Sequence, residues 1–248
     1  MMRRSNQNIQ SAVRRQLAID LNCSADDFDR EGFVFCEAEE NPGRRPFPRG
    51  KPHFEMLTMG GAVIVSATAD ILPYLRERLY GQSRDDAFSM PFVFGCGAYF
   101  LPDHPHPLPP VRDVSFSLVE RPDISGYYAL DGFRNVFQYE VNDPRPDVLL
   151  MTAKKGERIV GMAGASADCE TLWQIGVDVL PGYRHLGIAA VLTNRLAIEI
   201  LERGKIPYYG TASSNVASQR VAHRAGFRLA WVCAYRGVFG GLMTAPTG

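Results

Sequence analysis

The chain has 248 residues, of which 46% are hydrophobic and 22% are charged, and this composition excludes an intrinsically disordered protein. Its 27 Lys and Arg residues balance 27 Asp and Glu residues, so a nucleic-acid-binding protein, which usually carries a basic excess, is not expected. The five cysteines include no Cys-x-x-Cys pair, which argues against a disulfide framework and against a metal cofactor.

Neither a signal sequence nor a membrane span is predicted. Residues 1–7 are basic, but no apolar signal core follows them. The longest apolar stretch, residues 60–69, is too short to cross a bilayer. We therefore expect a cytoplasmic protein with no membrane partner.

Helix and strand patterns alternate in the first part of the chain. Apolar residues at helical spacing indicate helices, and runs rich in Val, Ile and Phe indicate strands. The predicted elements are a helix over 9–22, a strand over 33–39, a loop over 41–52, a strand over 59–68, a helix over 69–80 and a strand over 92–101.

A proline cluster separates this part from the rest of the chain. Five prolines lie among the nine residues 102–110, which excludes a helix or a central strand there and predicts a linker. We therefore predict an N-terminal domain over 1–110 and a C-terminal domain over 111–248. His104 and His106 lie in this cluster and are interpreted as loop residues rather than metal ligands.

The second part of the chain has the pattern of a mixed α/β domain with one layered sheet. A hairpin turn is predicted at 154–157, and Ser214 or Asn215 is predicted to cap the last helix. The predicted elements are strands over 115–119, 147–153, 158–165, 172–179, 206–209 and 228–235, and helices over 187–203 and 215–224. A helical region interrupted by Gly126 and Gly132 is predicted over 123–138.

The segment 175–190 reads as a strand, a tight loop and the start of a long helix. Such a loop directs several backbone N–H groups to one point, and the helix dipole adds positive potential there, so a phosphate group is the natural ligand. Arg184, Gly187 and Ala189 form an Arg-x-x-Gly-x-Ala pattern in this loop. The alternative is an ordinary helix start with a tight turn.

A second feature, residues 215–227, follows this helix and ends in Gly226 and Phe227. Together the two segments resemble the GNAT N-acetyltransferase superfamily, over about residues 112–237. The resemblance implies an α/β (α+β) fold with a mixed central sheet flanked by helices. It also suggests a subgroup with an additional, smaller N-terminal α/β domain.

The resemblance implies an acetyl-CoA site at a gap between two strands, where 177–179 diverges from 206–209. Backbone groups of the first strand would bind the pantetheine arm, and the N–H groups of the following loop would bind the pyrophosphate. Asn215 could instead be only a helix cap, and Ser218 only a surface residue. The implied cofactor-binding residues are Val177, Asp178, Val179, Arg184, His185, Leu186, Gly187, Ile188, Ala189, Asn215 and Ser218.

The implied reaction transfers an acetyl group from acetyl-CoA to a primary amine of a small molecule or peptide. Many members of the family have a tyrosine on the second helix, but the aligned residue here is Ala222. Many also have a glutamate early in the central strand, where this chain has Trp173 and Gln174. The candidate catalytic residues, each of which could equally be an ordinary surface or strand residue, are Gln174, Glu170, Asp178 and His223.

These two departures leave a second function open, a non-catalytic sensor or regulatory protein that binds acyl-CoA. The sequence does not identify the amine acceptor or the acyl chain length, and it leaves the oligomeric state open, a homodimer included. Residues 1–110 show no catalytic motif, and we interpret them as a degenerate acyltransferase-like unit or as a lid over the substrate.

Overall fold

The computed structural model describes residues 6–50, 52–103 and 105–234, which form two compact units. Within these residues, unit 1 comprises 6–9, 99–211 and 215–229, and unit 2 comprises 10–98, 212–214 and 230–234. The sequence predicts that residues 1–110 and 111–248 fold as separate domains. Grouping residues into compact units does not test separate folding, so the boundary at residue 110 stays a prediction.

The described residues contain five α-helices, ten strands and three short 3-10 helices. The α-helices are α1 (Asn6–Leu21), α2 (Leu72–Leu79), α3 (Arg84–Phe88), α4 (Ile188–Glu202) and α5 (Val216–Arg224). The strands are β1 (Phe33–Glu37), β2 (Phe54–Thr58), β3 (Val63–Ala67), β4 (Cys96–Pro102), β5 (Ser115–Glu120), β6 (Asp147–Lys155), β7 (Arg158–Ala167), β8 (Leu172–Val179), β9 (Ile206–Ala212) and β10 (Phe227–Ala234). None of the described helices is long and apolar enough to cross a membrane.

Unit 2 is built on the strand order β1-β3-β2-β10, with β1 and β3 parallel and the other neighbours antiparallel. Its core is formed by side chains of the sheet, α2, α3 and the segment between α3 and β4, among them Phe54, Val65, Leu75 and Phe92. The strand predicted over 59–68 is confirmed at residues 63–67, which form β3, but its start is wrong, because residues 59–62 form the turn of the hairpin β2–β3. Gly60, with a φ of 110°, adopts a backbone conformation that ends the strand there.

Unit 1 contains a mixed sheet with the strand order β4-β9-β8-β7-β6-β5. β8 and β9 are parallel, whereas β5 to β8 form an antiparallel series. α4 packs on β6, β7 and β8 through apolar side chains such as Leu192 and Leu196, both fully buried. A mixed sheet flanked by helices confirms the predicted fold class.

The helical region predicted over 123–138, with interruptions at Gly126 and Gly132, is wrong beyond its start. Only Asp123–Tyr127 is helical, as a short 3-10 helix, and the chain then continues irregularly. Gly132 has a φ of 91°, which interrupts helical geometry. The apolar residues of this segment, Phe133, Val136 and Phe137, are buried against Leu150 and Met162 of the sheet. The apolar pattern therefore reports packing of a loop on the sheet rather than a helix face.

The proline-rich segment after β4 is fixed to unit 1 by one buried residue of α4. The Asn194 side chain accepts a hydrogen bond from the Leu108 N–H (3.1 Å) and donates to the carbonyl groups of His106 and Ala225 (both 3.0 Å). The Asp103 N–H donates to the Gly226 carbonyl (2.8 Å), and the Asp103 carboxylate pairs with Arg228. This part of the predicted linker is thus an ordered component of the unit.

Candidate functional site

The central feature of unit 1 is a fork between the parallel strands β8 and β9. Their register runs from Leu172 beside Ile206 to Ile175 beside Tyr209 and stops there. Beyond this point β8 continues to Val179 and β9 to Ala212. The other edge of β8 stays paired with β7 as far as Val179. One edge of residues 176–179 therefore faces the opening between the two strands.

A tight turn connects the end of β8 to α4. It contains the 3-10 helix Pro181–Tyr183 and two residues in left-handed conformations, His185 (φ 65°) and Gly187 (φ 85°). Gly187 is the N-cap of α4, and no side chain caps the helix. The N–H groups of the first turn of a helix have no intrahelical partner, so those of Ile188 and Ala189 are available to a ligand. Together with the helix dipole they form an anion-binding geometry.

The side chains of the turn differ from one another in their contacts and in their exposure to solvent. Arg184 donates from Nε to the carbonyl oxygen of Val179 (3.1 Å), which fixes the guanidinium beside the end of β8. His185 and Leu186 are exposed, whereas Ile188, the first residue of α4, is buried. Arg184 thus lies in the turn, and its role in binding a cofactor stays a prediction.

The N-terminus of α5 holds the two residues predicted on the second segment. Asn215 is the N-cap of α5, and its Oδ1 accepts a hydrogen bond from the Ser218 N–H (3.1 Å). Ser218 Oγ lies 2.7 Å from the hydroxyl oxygen of Tyr209, at the point where β9 leaves β8. Burial raises the pKa of Tyr209, so its hydroxyl remains protonated at neutral pH. Ser218 thus contacts the fork through Tyr209, and Asn215 caps α5, as the sequence allowed.

The four candidate catalytic residues lie in different places. Gln174 is the register partner of Tyr208 immediately before the fork, and it is half-buried. Glu170 is exposed in the connection before β8, at the opposite end of the strand from the turn. His223 is exposed on α5 with its ring against Phe100 (5.3 Å between centroids). The structure therefore places Gln174, and neither Glu170 nor His223, beside the start of the fork.

Asp178, the fourth candidate, is hydrogen-bonded to the loop before β6. Its Oδ2 accepts from the backbone N–H of Asn135 (2.7 Å) and its Oδ1 from the Asn135 side-chain amide (2.8 Å). Two glycines allow this loop to lie close to the sheet, because β-carbons built at Gly164 and Gly176 would overlap the carbonyl oxygens of Val136 and Asn135. These glycines are register partners on β7 and β8. The loop therefore covers one face of the sheet beside the fork.

Asp168, a buried residue connected to Gln174 through Tyr208, was not among the candidate residues predicted from the sequence. The side chain of Asp168 is fully buried and accepts hydrogen bonds from Ser166 Oγ (3.0 Å) and from the Tyr208 hydroxyl. The Tyr208 hydroxyl oxygen also lies 3.3 Å from Gln174 Oε1. Asp168 follows β7 without a local motif, so only the pairing of β8 with β9 reveals its connection to the fork.

No metal-binding cluster of three or more His, Cys, Asp and Glu side chains occurs among residues 6–50, 52–103 and 105–234. His104 lies outside these residues. His106 contributes its backbone carbonyl to Asn194, as described above.

Comparisons with known proteins give one match to a protein family. Residues 116–227 match the family model described as the acetyltransferase (GNAT) family. None of the curated protein sequences matches the chain. The matched residues include β8, the turn, α4, β9 and α5, which are the elements that build the fork and the uncapped helix N-terminus.

Several solved structures are similar to this chain at low sequence identity. A GNAT-family acetyltransferase from Colwellia psychrerythraea is 14% identical over 58% of this chain and 56% of its own, with a TM-score of 0.43. A GCN5-related N-acetyltransferase-like protein from Streptococcus suis 89/1591 is 18% identical over 71% and 72%, with a TM-score of 0.44. A GCN5-related N-acetyltransferase from Kribbella flavida is 15% identical over 59% and 58%, with a TM-score of 0.44.

The chain thus spans a little over half the length of the Colwellia and Kribbella proteins. The family model, which covers the strands, turn and helices of the fork, carries the assignment. Residues 116–227 of this chain form an acetyltransferase domain of the GNAT family.

Proposed function

We propose that this protein is an N-acetyltransferase that transfers the acetyl group of acetyl-CoA to a primary amine of a small molecule or peptide. The observation that carries the proposal is the fork between β8 and β9, which opens directly before the uncapped N-terminus of α4. In coenzyme A an extended pantetheine arm is followed by a pyrophosphate. In this protein the open edge of β8, which suits the arm, is followed by the N-terminus of α4, which suits the pyrophosphate.

In the proposed complex, backbone groups of Val177 and Val179 bind the pantetheine arm as an added strand would, because this edge of β8 is not paired with β9. The pyrophosphate lies on the N–H groups from His185 to Ala189, where the helix dipole favours negative charge. The N–H of Arg184, which the sequence also suggested, donates instead to the Pro181 carbonyl (3.3 Å). Asn215 and Ser218 approach the arm from α5. The thioester then lies at the fork, where the acceptor amine enters.

The reaction forms a C–N bond and breaks the C–S bond of the thioester. The neutral amine attacks the carbonyl carbon, the carbonyl oxygen accepts a hydrogen bond from a backbone N–H of β8, and coenzyme A leaves as a thiolate. One proton leaves the amine nitrogen, and the thiolate takes up one proton. A thiolate is a fair leaving group, so transfer can proceed although Ala222 is a buried, non-acidic residue on α5.

A sensor that binds acyl-CoA without turnover is the second candidate function, and Ala222 and Gln174 favour it because neither side chain can exchange a proton. We place either protein in the cytoplasm, since its five cysteines are free thiols, as is usual in a reducing compartment. Release of coenzyme A in the presence of an amine separates the two candidates.

Substitution of Ala189 by Glu tests the cofactor site. Ala189 is in the first turn of α4, so a carboxylate there stabilises the helix through its dipole but repels the pyrophosphate. We expect the affinity for acetyl-CoA to fall by about tenfold to a hundredfold, which corresponds to ~1.4 to 2.8 kcal/mol. Calorimetric titration with acetyl-CoA and with coenzyme A measures the affinity.

The matched control is Ala189→Gln, which has the same size without the charge. We expect most of the affinity to be retained in this variant, and the thermal midpoint of both variants without ligand to be at or above that of the original chain. If neither ligand binds the original chain at millimolar concentration, the proposed function is wrong. If acetyl-CoA binds but no amine in a broad panel releases thiol, the protein is a sensor.

A further inference from the structure

The side chains of Gln174 and Tyr208 lie on the same face of the sheet at the entrance to the fork. Residues paired in register direct their side chains to the same side, and these two are paired in the last part of the β8–β9 ladder. Gly176, two residues further on, is on this face too, and the loop at Asn135 covers it. An acceptor amine that approaches the thioester from this side meets Gln174 first, because Tyr208 is 1% exposed.

The hydroxyl group of Tyr208 has one hydrogen and two neighbouring acceptors. It donates to Asp168 Oδ2, and Gln174 Oε1 lies 3.3 Å from its oxygen. A hydrogen bond to a carboxylate is roughly twice as strong as one between neutral groups, so the hydrogen points to Asp168. The hydroxyl oxygen can then only accept a hydrogen bond from Gln174.

The Asp168 carboxyl group lies beside two hydrogen-bond donors and one cation. Its side chain is fully buried, which opposes a charge, but it accepts a hydrogen bond from Ser166 Oγ (3.0 Å) in addition to that from Tyr208. The guanidinium of Arg145 lies 3.9 Å from Asp168 Oδ1, which also accepts from Ser166, and supplies an opposite charge. Two donors and one cation therefore offset the cost of burial.

These bonds determine which way the amide of Gln174 points. The oxygen and nitrogen of an amide side chain are distinguished by their hydrogen-bond partners. Since the hydroxyl oxygen of Tyr208 must accept, the NH2 group of Gln174 turns towards it and the carbonyl oxygen turns away, into the fork. A carbonyl oxygen in this position accepts from an N–H group but cannot remove a proton.

We propose that Asp168 and Tyr208 are positioning residues that orient the Gln174 carbonyl oxygen to accept a hydrogen bond from the acceptor amine. This role rests on the proposed acetyltransferase function. One N–H of the neutral amine binds Gln174, and the nitrogen lone pair is directed to the thioester carbon. A second N–H supplies the proton that leaves when the C–N bond forms, which favours primary amines.

Substitution of Tyr208 by Phe removes the hydroxyl and keeps the ring. We expect kcat/KM for the amine to fall about tenfold, with the dissociation constant of acetyl-CoA unchanged. Gln174→Ala lowers kcat/KM by a similar factor, and the double variant is no worse than Gln174→Ala alone, because Tyr208 acts through Gln174. Multiplied losses in the double variant would overturn the proposal, as would an unchanged kcat/KM in Tyr208→Phe.

A second measurement reads the orientation without turnover. The side-chain amide resonances of Gln174, assigned by their loss in Gln174→Glu, shift in Tyr208→Phe and in Asp168→Asn if the NH2 group donates to Tyr208. Unmoved resonances in Tyr208→Phe contradict the orientation even if the enzyme is active. Shifted resonances in a protein that acetylates no amine leave the orientation intact and refute the catalytic role together with the proposed function.

Discussion

Both carboxylate oxygens of Asp178 are engaged by a single residue, Asn135, at 2.7 and 2.8 Å. A general base must accept a proton from the acceptor amine, directly or through one water molecule. The two hydrogen bonds from Asn135 direct the carboxylate to the loop that covers the sheet. We therefore expect Asp178 to anchor this loop beside the fork rather than to act as the base.

Substitutions on the two sides of this contact distinguish an anchor from a base. We expect Asp178→Ala and Asn135→Ala to lower the free energy of unfolding, by roughly 1 to 3 kcal/mol in the case of Asp178, because both loosen the same loop. Both should raise KM for the amine and leave the pH profile of kcat unchanged. Thermal melting and steady-state kinetics between pH 6 and 9 measure these effects.

A base would give a different pair of results. Asp178→Ala would then lower kcat by about a hundredfold or more and remove the acidic limb of the pH profile, since general base catalysis contributes ~10²-fold to 10⁴-fold. Asn135→Ala would keep most of the activity, because it leaves the carboxylate in place.

At the scale of elements, the close approach of the loop to the sheet depends on Gly176. A β-carbon at this position would overlap the carbonyl oxygen of Asn135. Gly176→Ala should therefore displace the loop and lower the free energy of unfolding by about 1 to 3 kcal/mol, a usual cost of overpacking. Chemical denaturation measures this change, and the KM for the amine should rise with it.

Gly126→Ala is the matched control in the same unit. Gly126 is exposed, and a β-carbon there meets no heavy atom within 4 Å. We expect this variant to melt and react as the original chain does. Equal stability of Gly176→Ala and Gly126→Ala would show that the loop at Asn135 is held less closely than the structure indicates.

The elements that could be predicted from the sequence are those with a local signal. β8 has the predicted bounds, and α4 and α5 differ from the prediction by one or two residues, because apolar periodicity, Gly187 and the Asn215 cap mark them. The segment 128–138 belongs to a predicted helix region but is irregular, and its residues Phe133, Val136 and Phe137 are apolar because their partners lie on β6 and β7. Periodicity cannot show such a partner, which is distant in sequence.

The same distinction holds for the site. The positions of Gly187 and Ala189 at the start of α4 could be predicted, because the strand, turn and helix that contain them are continuous in the chain. Their role in binding a cofactor stays a prediction. Asp168 contacts Tyr208, which is 40 residues later, and this contact depends on the parallel pairing of β8 with β9. A carboxylate after a strand is ordinary in a sequence, so its connection to the fork could not be predicted.

At the scale of the whole molecule, the ordered linker bears on where the chain can be divided. Unit 1 begins its sheet with Tyr99, before the proline cluster, and Asn194 binds the backbone of His106 and Leu108 after it. A fragment of residues 111–248 lacks both β4 and these partners. It would leave the buried amide of Asn194 without two of its three hydrogen bonds, at a cost of about 1 to 3 kcal/mol for each unsatisfied group.

We therefore expect residues 111–248 alone to lack a cooperative thermal transition and to bind acetyl-CoA at least tenfold more weakly than the full chain. Circular dichroism melting and calorimetric titration measure these two properties, with the full chain carrying Asn194→Ala as the comparison. That variant loses the three hydrogen bonds of Asn194 but keeps β4, so it should melt cooperatively at a lower midpoint. A cooperative transition and full affinity in the fragment would establish residue 110 as a true domain boundary and would show that β4 is dispensable for the fork.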